Sequence, residues 1–241
     1  MGVQPIGIPG VWRIVFRDEF NVLDKSVWRV NFNGADQTAI THPVQRDNEL
    51  QCYDPAQVDI FEGNLRIRIV DKPCTIDGKT YKYRSGIINT NHWRAFTYGA
   101  FEARMCLAAA SPGVIANWPA WFMQGVTPPP WPDHGELDIV EGLTSSFGPG
   151  RAAFHFHSPL TNAGGWPEGD WTGWHTFGSK WAPDHASFYY DGNLVGTLTF
   201  GITNLPMYPC VYLATSALRG GPIVVPSELL VDYVRIWKLK H

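Results

Sequence analysis

The sequence predicts an all-β sandwich or barrel, and three observations carry that reading. Short alternating or β-branched runs recur along the chain between clusters of Gly, Pro, Asn and Asp. No stretch holds a helical period beyond a single turn near Asp24–Trp28. The 241 residues show neither an internal repeat nor a compositional break, so one domain over residues 1–241 is expected.

In chain order, strands are expected at Trp12–Phe16, Asn64–Val70, Gly86–Thr90, Gly99–Leu107 and Ala120–Gln124. The pattern continues at Glu136–Glu141, Ala152–His157, His175–Trp181 and Ala186–Tyr190, then at Leu194–Phe200, Val211–Ala217 and Leu229–Leu239. Asp191-Gly192 sits between two of these runs as a tight hairpin turn. Long loops are expected at Asn31–Asp47, Thr127–Asp133 and Pro159–Trp171. The segment Thr127-Pro128-Pro129-Pro130-Trp131-Pro132 is stiff and aromatic and ends directly before a strand of unusual chemistry, as the rim of a cleft would.

That strand is Glu136-Leu137-Asp138-Ile139-Val140-Glu141, with three carboxylates in six residues of an otherwise apolar run. A desolvated carboxylate costs several kcal/mol, so a half-buried strand rarely carries one without a use for it. Alternation puts Glu136 and Asp138 on one face and Glu141 on the other. A single β-bulge between Asp138 and Glu141 restores Glu141 to the first face. Crowded carboxylates push each other's pKa values apart, which suits a retaining glycosidase, with one ionised nucleophile and one protonated acid about 5–5.5 Å apart. Along an extended strand Glu136 and Glu141 lie roughly 13–16 Å apart, so sharing one glycosidic bond requires a curved sheet with inward-leaning side chains. From these six residues alone, an acidic solvent-facing strand and a calcium site are competing readings.

Composition excludes other classes. A net charge of −3 and a pI near 6.2 leave no electrostatic footprint for nucleic acid or anionic lipid. No apolar run is long enough to span a membrane. With 44% hydrophobic residues a sizeable core is available, and eleven Trp exceed what that core needs, which points to a surface that stacks sugar rings. Cys52, Cys74, Cys106 and Cys210 allow two disulfides in three connectivities, or free thiols, and their spacing does not choose. The opening Met1-Gly2-Val3-Gln4 has neither the basic start nor the apolar run of a secretory leader.

Other constellations carry weaker signals. Trp118 and Trp121, in Trp118-Pro119-Ala120-Trp121-Phe122-Met123, are candidate sugar platforms, with a core role for either as the plain alternative. His155-Phe156-His157 places two imidazoles on one strand face, a spacing that also suits a metal, with His134 available as a third ligand. No nucleophile elbow or Cys/His catalytic signature is visible.

Read together, these motifs resemble glycoside hydrolase family 16, in particular its laminarinase-like endo-β-1,3-glucanases. The resemblance runs from about Phe16 to Trp237. It rests on Phe16-Arg17-Asp18-Glu19-Phe20, Asn48-Glu49-Leu50-Gln51-Cys52-Tyr53, Gly63-Asn64-Leu65, Tyr98–Arg104, the Trp118–Met123 segment and Glu136-x-Asp138-x-x-Glu141. Trp174-His175-Thr176-Phe177, Trp181-Ala182-Pro183-Asp184, Tyr190-Asp191-Gly192 and Val231–Trp237 follow in family order. The resemblance implies a concanavalin-like β-jelly roll of two curved antiparallel sheets with a concave substrate cleft. It also implies a retaining endo-β-1,3-glucanase acting on laminarin-type β-glucan, outside the cell and as a monomer, with no cofactor for catalysis. Glu136 is the implied nucleophile, Glu141 the acid/base, and Asp138 the group that tunes Glu136. Asn48, Trp118, Trp121, Trp131 and His157 are expected along the cleft, and Glu19, Gly63 and Asp232 at a structural calcium on the convex side. Two positions depart from the family's habit: Ile87 follows Ser85-Gly86 where a basic residue is frequent, and Cys106 stands where Lys is common. The mildly acidic chain shows no basic cluster near the motif, which favours a neutral glucan over a sulfated galactan. The same fold also serves transglycosylases and recognition modules that bind β-glucan without cutting it; the latter typically lack the carboxylates present here.

Overall fold

The structure is a computed structural model that describes residues 2–32, 36–91 and 93–240. Two antiparallel sheets face each other across one apolar core. The larger, eight-stranded sheet runs in the order Asn193–Leu198, Ala186–Tyr190, Gly173–Trp181, Gly99–Leu107, Ser227–Leu239, Asn64–Ile69 and Val58–Phe61, with Trp12–Asp18 also paired to Ser227–Leu239. The six-stranded sheet runs Thr161–Gly165, Gly148–Ser158, Glu136–Ser145, Trp118–Gly125, Met207–Ala214 and Ile87–Asn89. Each sheet combines hairpin-linked neighbours with strands brought together from distant parts of the chain, as in a jelly roll. The fold is the expected sandwich.

Alternation decides what each strand contributes to the core. On the six-stranded sheet, Trp121, Met123, Leu137, Ile139, Phe154 and Phe156 point inward to meet Phe101, Phe177, Trp181, Phe188 and Tyr190 of the other sheet. The intervening residues Trp118, Gln124, Glu136, His155 and His157 line the opposite, outer face. This parity corrects one expectation. Trp121 is fully buried in the core and takes no part in the cleft. It stands three residues from Trp118 on a strand whose register with Met207–Ala214 is unbroken, so the two indoles must face opposite ways.

Other differences follow from long-range pairing. The segment Pro159–Trp171, expected as a loop, contains the edge strand Thr161–Gly165, which extends the sheet beside His155 and His157. Its glycines and threonine hid it from a propensity reading. Gly164 belongs there because a Cβ would collide with the His155 ring and the Phe154 carbonyl. The loop Asn31–Asp47 is irregular where described; its residues 33–35 lie outside the described residues. The turn at Asp24 is present, with Val27 and Trp28 amides bonded to its carbonyl. Among the described residues the sole helical element is the single 3-10 turn Pro55–Gln57, capped by Asp54, and no helix is long and apolar enough to cross a membrane. The Asp191-Gly192 hairpin forms as expected, with φ values of 47° and 77°. Cys52 and Cys74 are bridged, while Cys106 and Cys210 are free thiols.

Truncating Trp121 should therefore destabilise the fold rather than the cleft. Trp121→Ala is expected to cost about 3–5 kcal/mol, read by urea unfolding. A cost within the range of a surface substitution would contradict its place in the core.

Candidate active site

The site begins with a bulge. In the pairing of Glu136–Ser145 with Gly148–Ser158, Asp138 stands opposite His155 and Glu141 opposite Ala153, so Ile139 and Val140 together oppose Phe154 alone. The same irregularity appears against the other neighbour, where Phe122 is opposite Asp138 and Trp121 opposite Val140. Both Ile139 and Val140 are buried in the core, and Glu141 is thereby turned back to the outer face with Glu136. The bulge is held from across the sandwich. The Tyr190 hydroxyl lies 3.0 Å from the Ile139 carbonyl and 3.2 Å from the Ala153 carbonyl, and it donates to this pair of acceptors.

Over this sheet lies a cleft of about 840 Å³. Glu136 and Glu141 sit on its floor, with Trp118, His155 and His157 beside them. Asn48 stands on the wall formed by residues 44–48, and Trp131 stands on the proline-rich rim, 53% exposed. Trp118 is only 2% exposed, so it supports the floor more than it offers a stacking face. Among the cleft residues that sequence patterns did not single out are Asn162, within the unexpected edge strand, Trp166 just after it, and Arg46 and Arg219. No local signal marks them, because each enters the cleft from a loop or edge whose position depends on distant pairing.

Each carboxylate has a distinct environment. Glu141 accepts a hydrogen bond from the Trp118 indole N–H at 3.1 Å through Oε1, and its Oε2 lies 3.1 Å from His155 Nδ1. His157 turns Nε2 towards Asp138 Oδ2 at 3.2 Å and stands 3.9 Å from Glu136 Oε1. Asp138, 3% exposed, lies beneath the other two. Burial, and secondarily the charge of Asp138, hold the Glu136 carboxyl well above the usual carboxylate range. Burial and the charge of Glu141 do the same for Asp138. Burial and mutual repulsion therefore oppose full ionisation of Glu136 and Asp138 together.

The cleft wall has its own buried acid. Glu49 accepts from the Gln45 amide at 2.7 Å, from the Tyr53 hydroxyl at 2.9 Å and from the Gln51 side chain, while Gln51 accepts from the Thr215 amide at 2.9 Å. This network fixes the segment that carries Asn48, whose amide side chain bonds Gln45 at 3.1 Å. Burial raises the Glu49 carboxyl to about 7, against the hydrogen bonds that pull it down.

The expected metal ligands fare differently. The register gathers Glu19, Gly63 and Asp232, since Asp18 lies opposite Val234 and Leu65 opposite Val231. Yet the Asp232 carboxylate is paired with Arg104 at 2.9 Å, and that of Glu19 with Arg235 through bonds of 2.9 and 2.6 Å. The expected site draws on the Asp232 carboxylate and on main-chain oxygens near Glu19 and Gly63, so as folded Asp232 is not available to a cation until Arg104 leaves it. His134 is likewise not a third ligand to the His155–His157 pair: its ring bonds the Pro129 carbonyl at 2.9 Å and the Gln124 side chain at 2.5 Å, anchoring the proline rim.

Two stability measurements check this geometry. Tyr190→Phe strips the donor from two buried carbonyls and should cost about 1–3 kcal/mol in urea unfolding; an unchanged midpoint would mean that the bulge does not depend on it. For Glu49, the folded chain between pH 4.5 and about 7 keeps a proton that the unfolded chain has released, so its contribution to stability falls as pH rises through that window. Glu49→Gln should remove about 3 kcal/mol of that fall, seen by comparing unfolding at either end of the window. Parallel pH profiles for parent and variant would contradict the assignment.

Comparison with known proteins agrees with this architecture. The chain is 29% identical over 252 residues to the endo-1,3-1,4-beta-glycanase ExsH of Rhizobium meliloti, a match covering 93% of this chain and 51% of that protein. It thus spans about half the length of that relative. It is 26% identical over 265 residues to a beta-glucanase of Rhodothermus marinus, covering 94% of this chain and 85% of the relative. The solved endo-beta-1,3-glucanase of Pyrococcus furiosus superposes with a TM-score of 0.78 at 26% identity, covering 95% of each chain. Residues 54–234 match the sequence pattern of the glycosyl hydrolases family 16. With its bulged carboxylate strand on the floor of a jelly-roll cleft, this chain belongs to glycosyl hydrolases family 16.

Proposed function

We propose that the chain is a retaining endo-β-1,3-glucanase that hydrolyses laminarin-type β-glucan. The observation that carries the reading is the bulge that puts Glu136, Asp138 and Glu141 on one face beneath an open cleft. In this reading Glu141 protonates the glycosidic oxygen as Glu136 attacks the anomeric carbon. The bond to the leaving sugar breaks, and a glycosyl ester to Glu136 forms. Glu141 then takes a proton from water, which attacks the same carbon and frees Glu136 with the original anomeric configuration. Trp118 and His155 hold Glu141 in place by its two oxygens. Asp138 shares the proton that lets Glu136 ionise as substrate arrives. Trp131 and Trp166 supply flat apolar faces for glucosyl rings, and Asn48 supplies a polar group on the wall. A polymeric substrate of this size implies action outside the cell.

One observation favours a second reading. Arg219 lines the wall beside Leu143 and Thr144, and Arg46 lines it beside Asn48, although Arg46 is paired with Asp77 at 3.5 Å. A cationic wall suits an acidic or sulfated glycan, with the chemistry of the floor unchanged.

The test is a time course on laminarin, lichenan, agarose and κ-carrageenan, with the product anomer followed by NMR. Laminarin should yield oligosaccharides early, with β-configured ends first. Glu136→Gln should abolish turnover while leaving oligosaccharide binding intact, and substantial residual activity would remove it as nucleophile. Glu141→Ala should lose about 10²–10⁴-fold and recover with azide on activated substrates; absence of rescue would count against the acid/base role. Asp138→Asn should slow turnover less than either. Cleavage of κ-carrageenan alone would keep the mechanism and replace the substrate.

A further inference from the structure

The glycosidase reading leaves part of the cleft floor unexplained. Asp138 is buried, and its Oδ2 lies 3.2 Å from His157 Nε2 without hydrogen-bond geometry, while His157 Nδ1, also buried, has no hydrogen-bond partner among the described residues. A buried polar atom that lacks a good hydrogen bond is costly, more so when charged, so a fold that leaves such atoms together calls for a reason. Sharing a proton with Glu136 needs only one oxygen of Asp138. The other oxygen faces the two imidazoles of His155-Phe156-His157, which stack with ring centroids 5.7 Å apart. One donor atom from each of Asp138, His155 and His157 lies within 4.8 Å of the others.

We propose that the floor of the cleft is a reversible binding site for a borderline divalent cation of the Zn²⁺ type, held by Asp138, His155 and His157, and that its occupancy arrests glycan cleavage. Two imidazoles and one carboxylate are a donor set for Zn²⁺ or Cu²⁺, whereas Ca²⁺ and Mg²⁺ require more oxygens than the cluster offers. Donor atoms this close need only side-chain rotations to reach bonds of about 2.0–2.2 Å. His155 and His157 line the cleft, so the ion has a path from solvent and its fourth position opens towards substrate. The second half of the proposal rests on the glycosidase reading: an ion here withdraws Asp138 from Glu136 and His155 from Glu141, and places a dication beside both. The first half rests on the cluster alone, so binding and inhibition are measured separately.

The experiment titrates Zn²⁺ into the purified chain by calorimetry, with and without laminarin oligosaccharide, and records Co²⁺ absorption on the same protein. One ion per chain is expected, with imidazole-ligated Co²⁺ bands, competition by oligosaccharide, and no displacement by Mg²⁺ or Ca²⁺. His155→Gln and His157→Gln should each weaken binding by more than the roughly 100-fold that follows loss of a ligand's orienting partner. His175→Gln with His185→Gln, which removes the exposed His–Asp pairs elsewhere, should leave binding unchanged. Near-UV circular dichroism checks that each variant is folded; if a histidine variant is not, Asp138→Asn and the parent's Co²⁺ spectrum decide. No binding, binding undiminished by the cleft variants, or binding lost with His175 and His185 would overturn the site. Turnover should fall in step with occupancy and return on chelation; full turnover at full occupancy would overturn the inhibitory half. A chain that binds Zn²⁺ at these residues but cleaves none of the four glycans would keep the site and reject the glycosidase reading.

Discussion

Everything functional in this molecule depends on one extra residue in one strand. Without the bulge at Ile139 and Val140, Glu141 would enter the core, where an unpaired carboxylate costs several kcal/mol. With it, both apolar residues pack inward and all three acids share the outer face. The Tyr190 hydroxyl reaches the bulge through the core from the opposite sheet, so the alignment of the acids is set by the whole sandwich. A loop could not hold them as rigidly.

The second constraint is electrostatic. Three crowded carboxyls on one floor are tolerable only when protons and imidazoles limit their charge. Burial and mutual repulsion raise Glu136 and Asp138, and the two histidines on the facing strand lie beside all three acids. The register Glu136 with His157 and Asp138 with His155 makes that facing arrangement a property of strand pairing. Glu49 repeats the theme on the wall, where a buried acid is stabilised by hydrogen bonds and in return fixes the segment bearing Asn48.

Legibility followed the range of the interaction. Strands with local alternation, such as Asn64–Ile69, were readable because burial on one face imposes period two on the sequence itself. The edge strand Thr161–Gly165 was not, since its glycines fit against His155 and Phe154 of the neighbouring strand. The assignment of Trp121 to the cleft ignored parity with Trp118. Glu19 and Asp232 were expected beside a cation, but the pairing of their carboxylates with Arg235 and Arg104 involves side chains that local motifs do not report.

The sequence by itself determined the all-β class, the chemistry of the Glu136–Glu141 run and the need for a bulge, because each is a statement about neighbours along the chain. Only the tertiary structure decided which indole lines the cleft, which histidine meets which acid, that Cys52 joins Cys74, and that Arg46 and Arg219 reach the cleft wall. Those outcomes depend on register between strands far apart in sequence, where a shift of one residue exchanges the two faces of a sheet and no local pattern records the choice.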